Sequence, residues 1–75
     1  MTTETFKNWF VGKLKTNNAK VKYEDRKGIH REIEVSWPKN GTYDVDAKSI
    51  KLLDVELKKT FDFHWDQLVS YRFNE

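Results

Sequence analysis

The side chains that could do chemistry are too scattered along this chain to form a catalytic centre. His64 lies between Asp62 and Asp66, but the position of this cluster between two predicted strands is typical of a polar kink. Asp44 and Asp46 resemble the opening of a calcium loop, yet the glycine and the closing glutamate are missing. The chain has no cysteine and its three glycines are isolated, so it has neither a thiolate metal site nor a phosphate-binding loop. We therefore predict that the protein is not an enzyme and has no catalytic residue, metal or cofactor.

The cationic side chains are unevenly distributed. Residues 1–43 carry nine Lys or Arg against five Asp or Glu, a balance of +4, whereas residues 44–75 carry five against seven, a balance of −2. The stretch from Thr5 to Tyr23 holds five lysines and no acid. This asymmetry is compatible with binding a polyanion at one end of the molecule.

The first element that positions these cations is a predicted helix. Phe6, Trp9, Phe10 and Leu14 recur at helical spacing and form one apolar stripe. Hydroxyl residues and an acid at positions 2–5 are typical of a helix start, and the two asparagines at 17 and 18 are typical of a stop. The sequence therefore predicts an N-terminal helix within residues 1–16.

From residue 19 the apolar period changes from 3.6 to 2, which predicts strands. Residues 19–23 and 29–37 alternate on either side of a polar turn and form a hairpin. Because both apolar faces must lie on the same side, the parity of the register is fixed. The most economical pairing of that parity places Ala19 opposite Val35, Lys20 opposite Glu34, Val21 opposite Ile33, Lys22 opposite Glu32, and Tyr23 opposite Arg31. Lys20 and Lys22 then form a neutralised ladder with the two glutamates. Unbalanced positive charge remains at the hairpin tip and at the helix end.

The sequence after residue 48 predicts further short strands. They cover residues 49–57, with a bulge or burial on both faces at Leu52–Leu53, then 60–63, and after a kink at 64–67 a last strand at 68–73. Residues 43–46 are compatible with either a short edge strand or a loop. The whole chain, 1–75, is thus one mostly-β (α+β) domain: a helix over 1–16 and a small barrel over 19–73. With no apolar run longer than three residues, we expect a soluble protein of the cytoplasm without a membrane partner.

The aromatic residues divide between the core and the strand ends. Core positions are expected for Phe6, Trp9, Phe10, Phe61, Phe63 and Val69. Trp37 precedes a proline at a strand end and is equally compatible with base stacking and with capping the core, whereas Tyr71 is interpreted as a core cap. The predicted nucleic-acid-binding residues are Lys13, Lys15, Arg26, Lys27, Arg31, Lys39 and Trp37.

Two stretches resemble a known family. The segment VKYEDRKGIHREIEV resembles an opening hairpin with a charged glycine turn, and SIKLLDVELKKTFDFHWDQLVSY resembles the second signature of small WYL-like proteins. These are Sm-like, Src-homology-3-like β-barrels common among tailed bacteriophages. The resemblance covers residues 19–73 and implies a five-stranded barrel, nucleic-acid or nucleotide binding, and a phage accessory protein in the host cytoplasm. Where the family carries a ligand-holding Arg, this chain has Asp62, so the family's ligand pocket is not carried over.

Three functional hypotheses follow from the residues and the resemblance. The first is a non-catalytic binder of RNA or single-stranded DNA that modulates a host process such as RNA decay, transcription or defence. The second is an inhibitor that docks onto a host enzyme, toxin or polymerase through a strand edge or the helix. The third is a structural component that self-associates through edge strands. The expected state is a monomer or a small homo-oligomer.

Overall fold

The computed structural model describes residues 3–74 and begins with helix α1 (Glu4–Leu14). Thr3 is the N-cap, and its Oγ1 accepts a hydrogen bond from the backbone N–H of Phe6 at 3.2 Å. Glu4 in the first turn and Lys13 in the last turn complement the helix dipole. The helix lies within the predicted range of 1–16, of which residues 1 and 2 fall outside the described residues.

Five strands follow and form one antiparallel sheet in the order β4-β3-β2-β1-β5. Their bounds are β1 (Ala19–Glu24), β2 (His30–Ser36), β3 (Ser49–Asp54), β4 (Lys59–His64) and β5 (Leu68–Phe73). A single turn of 3₁₀-helix, Trp65–Gln67, joins β4 to β5 at the predicted kink. The architecture confirms the predicted mostly-β fold with an N-terminal helix. The sheet is open and compatible with a small barrel.

The register of the β1–β2 hairpin is the predicted one. Ala19 lies opposite Val35, Val21 opposite Ile33, and Tyr23 opposite Arg31. Ala19, Val21 and Val35 are buried, so the apolar face of the hairpin packs on the core. The requirement that both strands bury the same face fixed the parity of the register, and the most economical pairing of that parity is the one observed.

The irregularity predicted in the third strand occurs elsewhere. β3 pairs with β4 from Ser49 to Asp54 without a register shift, while the shift lies between β1 and β5 at Lys22/Tyr23. The third strand also ends at Asp54, not at residue 57, because the chain turns there. The N–H of Lys58, which has a φ of 57°, donates to the carbonyl of Asp54 at 2.8 Å. Ile50 and Leu52 are buried, whereas Lys51 is exposed and Leu53 half-buried on the other face, so the alternative prediction of burial on both faces is not met either.

The core forms between α1 and the concave side of the sheet. Its buried residues are Phe10, Val11, Leu14, Ala19, Val21, Val35, Ile50, Leu52, Phe63 and Trp65. The expectation that Trp9 and Val69 are core is wrong, since they are 46% and 47% exposed. The helix turns Phe10, Val11 and Leu14 inward, and this leaves Trp9 at the margin of the stripe.

The long connection at residues 37–48 is a loop, which decides the open question about residues 43–46. The Nζ of Lys7 donates to the carbonyls of Val45 and Ala47 at 3.2 and 3.4 Å. The hydroxyl of Tyr43 donates to Oδ1 of Asn8 at 2.6 Å. Two adjacent helix residues therefore hold the loop against α1.

Candidate nucleic-acid interface

The first group of predicted site residues lies where α1 ends and β1 begins. Lys15 is the C-cap of the helix, and its Nζ lies 5.4 Å from the centroid of the Trp37 ring. The Nζ of Lys13 lies 5.4 Å from the Phe73 ring and 5.7 Å from the Trp9 ring. Cations at these distances are attracted by the negative faces of the rings. The helix end thus places two lysines over aromatic side chains at one end of the sheet.

Trp37 is packed on its neighbours. Residues 38–41 form a turn closed by a hydrogen bond of 3.0 Å from the N–H of Gly41 to the carbonyl of Pro38. A Cβ atom built on Gly41 would lie 2.6 Å from Cε2 of Trp37, so the backbone of the turn contacts the indole directly. With Gly41 on the ring and Lys15 over it, a base would stack on Trp37 only after Lys15 moved.

Lys39 lies in a shallow hollow that the sequence did not predict. Lys39 and Lys51 line this hollow of about 380 Å³ together with Pro38 and Leu53. Both lysines are exposed, and Asp62 lies opposite Lys51 on β4. The alternation of β3 put Lys51 on the outer face, but nothing in the sequence showed that the 37–48 loop would come beside it.

The second group of predicted residues lies at the tip of the β1–β2 hairpin. The turn is organised by Asp25, whose Oδ1 accepts the N–H groups of Lys27 and Ile29 at 2.9 and 3.0 Å. Its Oδ2 accepts a hydrogen bond of 2.8 Å from Nε of Arg31. This bond lowers the pKa of Asp25 and raises the pKa of Arg31. The charge of Arg31 is therefore balanced by Asp25, while Arg26 and Lys27 are exposed at the tip.

The seven predicted residues do not meet in one patch. The helix-end group comprises Lys13, Lys15 and Trp37, and the hairpin-tip group comprises Arg26, Lys27 and Arg31. Lys39 lies apart from both, in the hollow beside β3 and β4. β1 separates the two groups, because the helix-end group lies beside its first residue and the tip follows its last. Six residues of strand place the two groups roughly 17 Å apart or more.

The outer face of β1 fills the space between the two groups with further cations. Lys20 and Lys22 point away from the core, and β5 places Arg72 opposite Lys20 and Ser70 opposite Lys22. We call Lys20, Lys22 and Arg72 the β1 band. Lys20, Ser70 and Arg72 line one concavity of about 320 Å³, whose rim includes Glu32. The sequence did not reveal Arg72, because the alternation of β5 says nothing about which strand lies next to it.

The predicted lysine–glutamate ladder is present in register but is loose. Lys20 lies opposite Glu34 and Lys22 opposite Glu32, as expected. Within residues 3–74, however, neither lysine has a carboxylate oxygen within 4.0 Å. Oε2 of Glu34 instead accepts a hydrogen bond from Nδ2 of Asn18 at 3.2 Å. The β1 band consequently holds three cations beside two acids.

The predicted polar kink covers the end of β4 and the start of the 3₁₀ turn. Asp62 and His64 are exposed on β4, opposite Lys51 and Ser49. Over the part of the chain that the structure describes, no three His, Cys, Asp or Glu side chains come together as a group that could hold a metal ion. Across the same residues, no helix is long and apolar enough to cross a membrane.

Comparisons with known proteins give no match. No protein-family model matches the chain, and no curated protein or solved structure is significantly similar to it. The resemblance to WYL-like, Sm-like phage proteins stays a prediction.

Proposed function

We propose that this protein binds single-stranded RNA or DNA, without catalysis, along the outer face of β1. The observation that supports this most directly is the pair Lys20 and Arg72, two cations directly opposite each other on neighbouring antiparallel strands. Like charges at such positions repel and destabilise a sheet. A phosphate group between them would receive a hydrogen bond from each and remove the repulsion.

The two outer groups extend this contact surface in both directions. Arg26 and Lys27 continue it beyond the carboxyl end of β1, and Lys15, at the end of α1, continues it beyond the amino end. A flexible single strand that lies parallel to β1 meets cations over the whole length of the strand. Such a surface follows the phosphate backbone, as the charged grooves of single-strand-binding proteins do.

The proposed contact has little sequence preference. Ammonium and guanidinium groups on an open sheet face position the backbone, whereas base identity is read by hydrogen bonds to base edges. Trp37 is covered by Lys15 and Gly41, so it adds no free stacking surface. We therefore expect similar affinities for oligonucleotides of different sequence.

The proposal is tested by fluorescence polarisation of a labelled single-stranded RNA over a salt titration. We expect log Kd to rise linearly with log salt, with a slope of about 0.7 for each phosphate contact. The double variant Lys20→Gln/Arg72→Gln should reduce this slope by about 1.4, because two contacts are lost.

The matched control removes two positive charges elsewhere. Lys48→Gln/Lys59→Gln changes the net charge equally but leaves the β1 band intact. The slope should stay close to that of the wild-type protein. A salt-independent affinity, or an equal effect of both double variants, would show that the β1 band is not the binding surface.

A further inference from the structure

β2 extends well beyond its pairing with β3. Only Val35 and Ser36 pair with β3, opposite Asp54 and Leu53. The last hydrogen bond between the two segments runs from the N–H of Val55 to the carbonyl of Glu34 at 3.1 Å. The chain then turns away at residues 55–58 into β4. The first half of β2 thus has β1 on one side and, among the described residues, no strand on the other.

The open side of β2 carries unused backbone groups. The carbonyl of Glu34 points towards β3, and successive residues of a strand point their backbone groups to alternate sides. The N–H and C=O groups of Glu32 and His30 therefore face the same way as those of Glu34. Within residues 3–74 these groups have no strand partner on that side. An open edge of this kind accepts the backbone of an additional strand.

An apolar cleft lies beside this edge on the concave side of the sheet. It has a volume of about 320 Å³, and Tyr23, Ile33, Leu57 and Phe61 form most of its lining, which also includes Asp54, Lys59 and Thr60. Leu57 is 67% exposed in the turn after β3, and Ile29 at the start of the edge is 51% exposed. Side chains of an added strand that point towards the core would enter this cleft.

The opposite face of the edge is acidic. Glu32 and Glu34 project from the outer face of β2, and Glu32 is exposed. Residues of an added strand on that face would lie next to them, where cations are favoured and acids are not. A second copy of β2, paired antiparallel about Glu32, would bring the two Glu32 side chains together. Charge complementarity therefore favours a foreign basic segment over self-association.

β1 shows what sequence β2 accepts as a neighbour. Its residues alternate between apolar side chains that face the core, such as Val21, and lysines that face the glutamates, such as Lys22. A strand on the open side meets the same two faces of β2. A strand added on the open side of β2 should therefore have the same alternation of basic and apolar residues as β1.

We propose that the free edge of β2 binds an extended peptide in which Lys or Arg alternates with apolar residues. The backbone of the peptide pairs with His30 and Glu32, its apolar side chains enter the cleft beside Leu57, and its cations face Glu32. This site uses groups other than the cations of the β1 band. It does not depend on the nucleic-acid proposal.

The first test needs no variant of the protein. A fluorescein-labelled peptide Lys-Val-Lys-Phe-Lys-Val is titrated with the wild-type protein and its binding measured by polarisation. We expect saturable binding, and about a tenfold loss when the peptide lysines are replaced by glutamate. A peptide with N-methyl groups on the amides that face β2 should also lose binding, because those hydrogen bonds cannot form. Equal binding of the N-methylated peptide would overturn the proposal.

The second test locates the site on the protein. Glu32→Lys should weaken peptide binding by about tenfold, because it places a cation next to the cations of the peptide. Leu57→Ser should also weaken binding, because it removes an apolar side chain from the wall of the cleft. Glu56→Lys, at an exposed position in the neighbouring turn, makes the same charge change and should have little effect. Circular dichroism confirms that each variant is folded.

Three outcomes would contradict the assignment. Equal weakening by Glu32→Lys and Glu56→Lys would indicate a general charge effect. Displacement of the peptide by single-stranded RNA in wild-type protein but not in Lys20→Gln/Arg72→Gln would show that the peptide occupies the β1 band. A wild-type dimer in sedimentation equilibrium that Glu32→Pro dissociates would identify a second copy as the occupant of the edge.

Discussion

Nε of Arg31 and Oδ2 of Asp25 are joined by a hydrogen bond of 2.8 Å across the mouth of the β1–β2 turn. The other oxygen of the same carboxylate accepts two backbone N–H groups of the turn. One aspartate therefore shapes the turn and also ties it to β2. Arg31, which the sequence predicted as a nucleic-acid-binding residue, is therefore engaged in a structural hydrogen bond.

The Asp25 carboxylate should make the stability of the protein dependent on acidity. The hydrogen bond from Arg31 is the largest cause of the lowered pKa of Asp25, so the folded state favours the ionised form. The stabilisation that ionised Asp25 contributes is complete above the ordinary aspartate pKa of about 3.9, which applies to the unfolded chain. It is lost as the pH falls from that value through the lower pKa of Asp25 in the folded protein. The melting temperature of wild-type protein should fall over this range, and that of Asp25→Asn should fall less. Asp66→Asn, at an exposed position, serves as the control and should follow the wild type.

Gly41→Ala should destabilise the protein by about 1–3 kcal/mol. Its Cβ would lie 2.6 Å from Cε2 of Trp37, so either the indole or the turn must move. The matched control is Gly12→Ala in the exposed part of α1, where a Cβ would meet nothing within 4 Å. That change should stabilise the protein by about 0.5–1 kcal/mol, because alanine favours the helix. Urea denaturation followed by tryptophan fluorescence measures both, and equal effects of the two variants would contradict the packing described for Trp37.

Tyr43→Phe should loosen the loop at residues 43–47. It removes the hydrogen bond of 2.6 Å to Asn8, which contributes about 0.5–1.5 kcal/mol. Hydrogen exchange should become faster in the loop and stay unchanged in the β1–β2 hairpin.

The ionisation of Tyr43 offers an independent measurement. Burial, followed by the nearby charges of Glu4 and Asp44, raises the pKa of its hydroxyl. The difference between the alkaline absorbance titrations of wild type and Tyr43→Phe should therefore have its midpoint above the ordinary tyrosine value of about 10. A midpoint at or below that value would contradict this environment.

Lys58→Gly should stabilise the protein by up to about 1 kcal/mol. Lys58 has a φ of 57°, a conformation that costs a residue with a Cβ about 1–2 kcal/mol. Glycine removes this cost, although its greater freedom in the unfolded chain offsets part of the gain. Lys58→Ala keeps the strain and should bring no such gain in thermal denaturation. A larger gain for alanine than for glycine would show that the lysine charge, not the backbone, is unfavourable.

The sequence predicted the local parts of this fold and missed the long-range ones. The alternation of residues 19–37 was sufficient to derive the hairpin register, because two short strands joined by a turn have few ways to bury one common face. The position of β5 beside β1 carries no local signal, so the pairing of Lys20 with Arg72 could not be foreseen.

For the candidate site as well, the sequence predicted local features and missed how distant parts of the chain come together. The uneven spread of charge led to a prediction of cations at the helix end and at the hairpin tip, but the distance between these two groups depends on where the helix and the hairpin tip lie in the fold. Trp9 illustrates a smaller error of the same kind. Helical spacing identified an apolar stripe, yet only packing against β5 determines which edge of that stripe is covered.

The placement of β5 beside β1 also has a consequence for biosynthesis. Ala19 and Val21 pair with β2 early, but they find their partners on the other side of β1 only when Phe73 and Tyr71 have been added to the chain. Until then a nascent protein on the ribosome exposes the aromatic side of its helix, including Phe6 and Phe10, which pack against Tyr71. Completion of the hydrophobic interior thus waits for the synthesis of β5, and a stalled product that ends before residue 71 exposes apolar surface that chaperones and proteases recognise.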